Sequence, residues 1–452
     1  MYRKRNSWGK AAGICLLSLS LMGAGTAAES DGVSGAAGEI PENVTDALLA
    51  CPQQTVKIPL NARISLDALF QYEPYLYYEV GDRSVVRVTS QGIAVPLAKG
   101  TTSVETTVSG DNREPASCIF RLTVVDPTAR AIGKSPKAES RNQKLNGKNV
   151  YVNTVVLPPG LPTDIGFGKD KIGFTEPMKA IVERHGASYA INGTYFSAYG
   201  GEPVPYGTLI KDGELVYGGT GGTLIGFGTD GRARMEEIRA TIEGGTDGLY
   251  DSKHRWKASW VNRTGGATTI YTPHRGARIG TSEGVMIVVS GGKVAKVTEK
   301  ENVKIPQDGF VIVKLRTNLK AEQERFPIGR KVHYRVLYAN GKGRVADWNG
   351  VVTGVHAWPR LTQDGKLAVK DEKNAERAAR SGIGITKDGG VVLATVGRAT
   401  FGEIAQVLRA KGAVQAMSLD GGASAGIYSQ GVMHFTPGRE LSHTLMFGAN
   451  LR

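Results

Sequence analysis

The sequence predicts a catalytic-sized α/β or α+β mixed-sheet domain preceded by a small all-β sandwich. Three observations predict it. Seven short apolar runs crowd into residues 46–127 with turn residues between them. From Val150 to the end, strand-like runs alternate with segments of helical period. A polar, basic stretch, 128–149, separates the two and reads as a linker.

The chain opens with an address. "MYRKRNSWGK" is basic, "AAGICLLSLSLMGAG" is apolar but short for a bilayer span, and "TAAES" supplies small residues for cleavage after Ala28. Residues 1–28 are therefore expected to be a signal peptide, which implies a secreted, extracellular protein, with cell-wall association as a variant of that expectation. No later run is long and apolar enough to cross a membrane, so no integral membrane segment is expected after processing. Residues 29–45 are polar and glycine-rich, a flexible lead-in. The formal charge of +14 includes Arg3, Lys4, Arg5 and Lys10 of the leader, which leaves +10 without them. Outside a cell, that balance suits anionic wall polymers or phosphate-bearing glycans. No zinc-finger spacing or nucleic-acid motif accompanies it, so nucleic acid is not an expected partner.

In the β-rich block, "TVKIPL", "RISLDALF", "YLYYEV", "SVVRVT", "GIAVPL", "TTSVETTV" and "SCIFRLTVV" read as strands. The strand followed by D-x-S-V, a G-x-A turn and A-K-G-T resembles bacterial immunoglobulin-like surface domains, which act as spacers or adhesive arms. Residues 46–127 are assigned to such a domain. Cys51 and Cys118 bracket it, and a secreted chain permits them to pair, with two buried thiols as the alternative. A closed loop of that size would contribute roughly 4 kcal/mol in the chain-entropy model.

Residues 150–452 form the second domain. "EPMKAIVERHG" is a helix with Met178, Ile181 and Val182 on one face and Gly186 as its C-cap; "ASYAI" follows as a strand ending in Asn192-Gly193. Downstream, Thr400 and Glu403 form a capping box, Phe401, Ile404, Ala405 and Leu408 keep helical period, and "AVQAMSL" is a strand ending in Asp420-Gly421-Gly422. The order helix, Gly, Ala, strand, polar residue, Gly occurs twice, so the two polar ends are expected to share one crevice. Strand 391–396, helix 401–411 and strand 413–419 are expected to make a βαβ crossover. Strand 381–386 is expected to pair with 391–396 through "KDGG".

Asp420 is the sharpest candidate for chemistry. It ends an apolar strand, and two glycines and small Ala423 and Ser424 clear more room than a turn needs. Backbone N–H groups at Gly421 and Gly422 suit an anion. Asn192 with Gly193 gains weight from its matching context, and Tyr195 is placed to line the same pocket. Arg380 and Arg398 sit at strand ends where a guanidinium can grip a phosphate in bidentate fashion. Glu202 lies in a Gly- and Pro-rich loop expected to fold over the crevice, and His434 is near enough in sequence to reach it. No H-E-x-x-H, H-x-H, G-x-S-x-G or P-loop pattern occurs. No cofactor is expected, and a divalent metal is left open.

Together "SYAINGTYF", "YGTLIKDGELVY", "IYTPHRG", "IPQDGFVIV", "RSGIGITKDGGVVLATVGR" and "AMSLDGGASAGIYSQG" resemble, in order, the phosphodiester glycosidase family. The family's N-G-x-x-F matches Asn192, Gly193 and Phe196. Its arginine and hydroxyl match Arg380 and Ser381, and its L-D-G-G-x-S matches Leu419 to Gly422 and Ser424. Val396-Gly397-Arg398 lacks the acid of the family's D-G-R, and Ala423 replaces its third glycine. The resemblance implies a hydrolase of the α-N-acetylglucosaminidase type. Such an enzyme cleaves between an anomeric carbon and a phosphodiester, here N-acetylhexosamine-1-phosphodiesters of surface glycans or cell-wall polymers. It implies catalytic roles for Asp420, Arg380 and Asn192. The alternatives are a non-catalytic cell-wall or exopolysaccharide binding protein, or a phosphodiesterase that cuts P–O.

Overall fold

The computed structural model describes residues 55–69, 76–108, 116–127, 135–218, 222–342, 348, 350–370, 375–448 and 451. The expected leader and lead-in, and Cys51 of the expected disulfide, lie outside these residues. Cys118 is buried on strand Ala116–Val125.

Each of the seven runs in the N-terminal block contains a strand. Val56–Pro59, Ala116–Val125, Gly100–Val108 and Leu76–Val80 make one sheet, and Ile64–Ser65, Ile93–Pro96 and Val86–Val88 make the other. In strand 100–108 the side chains of Thr102, Val104 and Thr106 point inward and those of Thr101 and Ser103 outward, the period of two that a half-buried strand requires. Ile58, Leu66, Val86, Val104, Phe120 and Leu122 fill the space between the sheets. This sandwich is docked onto the following domain. Arg63 Nε donates to Asp212 Oδ1 at 2.7 Å, and Arg87 Nη1 donates to Glu214 Oε1 at 2.8 Å. Burial pushes the Asp212 carboxyl up, but Lys211, Arg63 and Arg87 outweigh it and hold the group well below the usual carboxylate range. The Tyr77 ring lies 4.8 Å from that of His333.

The expected linker contains a strand. Lys137–Leu145 pairs antiparallel with Lys148–Leu157 through a tight turn at Asn146-Gly147. The two strands form one edge of a seven-stranded sheet whose order continues with Val391–Ala399, Ala378–Thr386, Ala413–Ser418, Arg360–Gln363 and Lys366–Leu367.

The expected α/β or α+β class is not what the chain adopts: the second domain is mostly β. Among the described residues the α-helices are Met178–Arg184, Leu319–Arg325 and Phe401–Ala410, set among four sheets. A five-stranded sheet runs Thr163–Phe167, His443–Phe447, Tyr189–Asn192, Ile427–Ser429 and Val432–Phe435. Two more sheets are built from residues 209–357. Nearly all neighbours are antiparallel, some joined by hairpin turns, as 209–211 with 214–217, and others distant in the chain, as 163–167 with 443–447. Two segments carry a helix across a sheet: helix 178–184 joins strands 163–167 and 189–192, which flank 443–447 and both pair antiparallel with it, and helix 401–410 joins strands 391–399 and 413–418. Strands 391–399 and 413–418 both pair antiparallel with 378–386, which lies between them, so they run parallel to each other as the expected crossover requires. Helix 401–410 is capped as its sequence dictates: Thr400 Oγ1 accepts from Glu403 N, and the Glu403 carboxylate accepts from Thr400 N.

The two repeated units do not lie in one sheet. Strand 189–192 belongs to the five-stranded sheet and 413–418 to the seven-stranded one. Their sheets share a core of Val155, Phe167, Ile191, Ile383, Leu393, Met417, Leu419 and Leu445. Burying each such side chain favours the fold by about 1.5–3 kcal/mol, and Leu419, fully buried, fixes where the next residue emerges.

Candidate active site

Past Leu419 the chain leaves the sheet and crosses to the end of strand 189–192. Asp420 N donates to Gly193 O at 3.1 Å, and Asn192 Nδ2 donates to Asp420 O at 2.7 Å. The expected convergence of the two polar ends is thus present, across sheets. Asn192 Oδ1 also accepts from Gly426 N at 3.0 Å, and Nδ2 makes a longer bond to Gly193 O. The amide is spent on the backbone of the 420–426 loop, and the residue is 1% exposed. In this structure Asn192 shapes the loop and presents nothing to a sugar.

The glycines are explained by close approach. A Cβ on Gly193 would lie 2.2 Å from His443 Cδ2, and one on Gly421 would lie 2.8 Å from Ala379 O. The second contact means that the Asp420 turn passes directly over the strand that carries Arg380. His443 Nε2 accepts from Thr194 N at 3.0 Å, which leaves the ring proton on Nδ1, 2.7 Å from Ser442 Oγ. Burial drives its pKa down to about 3, so the ring is neutral and acts as a fixed wedge. Gly193→Ala is expected to destabilise the protein by about 1–3 kcal/mol through overpacking. Urea denaturation checks this, and an unchanged midpoint would contradict the contact.

Asp420 is half-buried. Its Oδ1 accepts from Gly421 N at 2.9 Å. Burial pushes the carboxyl up to about 6, although the Ser424 hydroxyl, the Gly421 N–H and the charge of Arg439 all favour its ionised form. A carboxyl that titrates near 6 is suited to exchange protons in neutral water. Ser424 is buried beneath the loop, while Gly422 and Ala423 are exposed and nothing lies within 4 Å of where a Gly422 side chain would stand.

Arg380 is half-buried beside this turn. Nε donates to Ala399 O at 3.2 Å, Nη2 donates to Glu376 O at 3.1 Å, and the guanidinium lies 4.1 Å from the Phe401 ring centre. No carboxylate pairs with it among the described residues. The backbone contacts and the ring hold it as a fixed cation with N–H groups to spare. Ser381 is fully buried and its hydroxyl has no partner; its carbonyl accepts from Leu419 N at 2.9 Å. Tyr195 joins the two sides. Burial raises its phenol, which hydrogen bonds Ser418 and feels both Asp420 and Arg380.

The remaining candidates fall elsewhere. Arg398 is exposed, and its carbonyl accepts from Arg377 Nη2 at 2.9 Å. The cation whose charge acts on Asp420 is Arg439, whose Nη2 donates to Tyr199 Oη at 2.6 Å. Glu202 forms a two-pronged ion pair with Arg275, one bond at 2.8 Å. His434 Nδ1 lies 3.1 Å from Ser140 Oγ on the strand at 137–145. Sequence reasoning missed Arg439, Trp358 and the role of His443. The "FTPGREL" segment was the only local hint of the first. Gly438 N donates to Ala423 O at 2.8 Å, which brings that segment against the loop.

Residues 283–447 match the family model described as phosphodiester glycosidase, which bears out the resemblance read from the sequence. The match spans Arg380, Asp420 and Arg439 but not Asn192. No curated protein matches the chain. Among solved structures, a hypothetical protein from Synechocystis is similar at a TM-score of 0.57 and 20% identity, covering 84% of this chain and 82% of that one. A putative exported protein from Burkholderia pseudomallei is similar at 0.54 and 19%, covering 66% and 74%. These two likenesses speak to the fold alone. The zebrafish N-acetylglucosamine-1-phosphodiester α-N-acetylglucosaminidase catalytic domain, auto-inhibited by its pro-peptide, aligns at 0.39 and 14%, covering 70% and 83%.

Proposed function

We propose that this chain is a secreted hydrolase that cleaves the bond between the anomeric carbon of an N-acetylhexosamine and a phosphodiester in surface glycans or cell-wall polymers. The family match supports a glycosidase-type function. The observation that carries the finer reading is a carboxyl raised to about 6 beside two arginines that lack carboxylate partners among the described residues, Arg380 and Arg439.

The chemistry asks little acid assistance, because a phosphate monoester leaves readily. The C1–O bond breaks with its electron pair passing to the phosphate oxygen. Arg380 and Arg439 stabilise that charge, helped by the exposed backbone of Gly422. Water adds its oxygen to C1, and ionised Asp420 takes the proton, its negative charge also favouring the oxocarbenium-like carbon. The N-terminal sandwich, read as an immunoglobulin-like module, holds the enzyme domain from one side in this account.

Hydrolysis of an N-acetylhexosamine-1-phosphodiester by the full chain in oxygen-18 water tests the reading, run with and without chelator. Label in the sugar supports it; label in the phosphate replaces it with P–O cleavage, and binding without turnover replaces it with a lectin-like role. Arg380→Ala is expected to lower kcat/KM by about 10²–10³-fold, the range for loss of one preorganised donor to developing charge. Arg380→Lys is expected to recover only part, since the fork is lost and the charge kept. Steady-state kinetics on both variants checks this.

A further inference from the structure

One exposed aromatic side chain is not used by this account. Strand Val351–Ala357 is buried along its whole length, and Trp358 is the first residue to emerge from its end, with 38% of its surface exposed. The other described tryptophans are buried or half-buried: Trp256 and Trp348 are in the core, and Trp260 is stacked under Arg263.

Trp358 is held in place from three directions. Tyr195 Oη donates to its carbonyl at 3.0 Å, and the two rings lie 4.6 Å apart at 31°. The centre of the His356 ring stands 6.0 Å away, tilted by 42°. Pro359 O accepts from Ser418 N at 2.9 Å, which ties the segment to the strand that delivers Asp420. Tyr195 itself hydrogen bonds Ser418 and interacts with the charges of Asp420 and Arg380. Strand ends 189–192, 351–357 and 413–418 therefore meet at one rim, with cations and a carboxylate on one part of it and a fixed indole on the next.

An exposed aromatic residue standing alone needs no explanation. This one has its orientation fixed by a hydrogen bond and two ring neighbours, and it adjoins the groups that would act. A pyranose has one face of C–H bonds and a ring of hydroxyls, and the amphipathic indole suits such a face. We propose that Trp358 is the sugar platform of this site, stacking on the apolar face of the pyranose whose phosphate is directed to Arg380 and Arg439. The inference rests on the function proposed above and names the residue that selects the sugar. Trp358 touches the sugar ring and not the bond that breaks, so it sets binding more than turnover.

The test uses the full chain and N-acetylglucosamine-1-(methyl phosphate) as probe, with inorganic phosphate alone as control. In an Asp420→Asn background, the diester is expected to shift tryptophan emission, phosphate alone is expected not to, and the shift is expected to vanish in the Trp358→Phe version. In the otherwise wild-type chain, Trp358→Ala is expected to raise KM at least 10-fold with kcat within 3-fold, and Trp358→Phe to recover most of the KM. A KM for Trp358→Ala within 2-fold of wild type, or an emission shift that persists in Trp358→Phe, overturns the platform. Failure of the parent reading is separate: it shows as full hydrolysis by Asp420→Asn, whatever Trp358 does. The conservative Phe variant guards against misfolding, since it keeps an aromatic ring beside Tyr195.

Discussion

Asp420→Asn is expected to lower kcat for a sugar-1-phosphodiester by about 10²–10⁴-fold, the range for loss of a positioned acid–base group, and at the same time to stabilise the fold at neutral pH. The two effects share one cause. Burial lifts the carboxyl from 3.8 to about 6. The folded state then binds the proton more tightly than the unfolded chain, so stability falls as pH rises between those values. The cost of the ionised group is fully present above pH 6 and absent below 3.8. At 1.36 kcal/mol per unit it amounts to about 2–3 kcal/mol. Asn keeps an oxygen to accept from Gly421 N and carries no charge. Its Tm should exceed that of wild type at pH 7.5 and converge with it near pH 3.5, measured calorimetrically. Wild-type kcat should fall on the acid side of about pH 6, where the carboxyl takes up its proton. An Asn variant with lower Tm at pH 7.5 would mean that Asp420 is there for the fold. A wild-type profile flat from pH 5 to 8 would remove it from proton transfer.

What the sequence revealed was local. The seven strands of the sandwich, the 381–386/391–396 hairpin and the Thr400–Glu403 capping box depend on residues close together in the chain, and each formed. Asp420 was legible for the same reason: an apolar run, an acid and two glycines announce a strand end with space beside it. The class of the domain was not legible, because it depends on which strands become neighbours. Two helix–strand units suggested parallel pairing, yet 189–192 went to one sheet and 413–418 to another. Of the two arginines read from the sequence, Arg380 stands beside the Asp420 turn and Arg398 does not. Arg398 directly follows a strand core, but its side chain emerges into solvent, whereas Arg439 reaches the loop by a hydrogen bond from Gly438 that no local pattern encodes. Trp358 carries no signal in sequence, since an isolated tryptophan reads as core until its exposure is known.

Asn192 separates two kinds of contribution to the same site. As a sugar ligand, it would affect KM and leave stability alone. As the staple seen here, it should do the reverse. Asn192→Ala removes the donor to Asp420 O and the acceptor of Gly426 N, and leaves both backbone groups without their partner in a region that excludes water. Each such loss costs about 1–3 kcal/mol, so the variant should lose roughly 2–5 kcal/mol, a large share of a marginal fold. Asn192→Asp should be worse at neutral pH. Its carboxylate would still accept from Gly426 N, but it would face the Asp420 carbonyl with no proton to offer, as a charge at a site 1% exposed. Below the pKa of that new acid the proton returns and the bond to Asp420 O is restored, so Asn192→Asp should recover stability on acidification where Asn192→Ala does not. Urea denaturation at pH 5 and pH 8 distinguishes the two variants. If both keep wild-type midpoints while KM rises, the amide serves the sugar and the staple is incidental. If the midpoints drop together with kcat and KM holds, the amide acts by fixing the loop on which Asp420 stands.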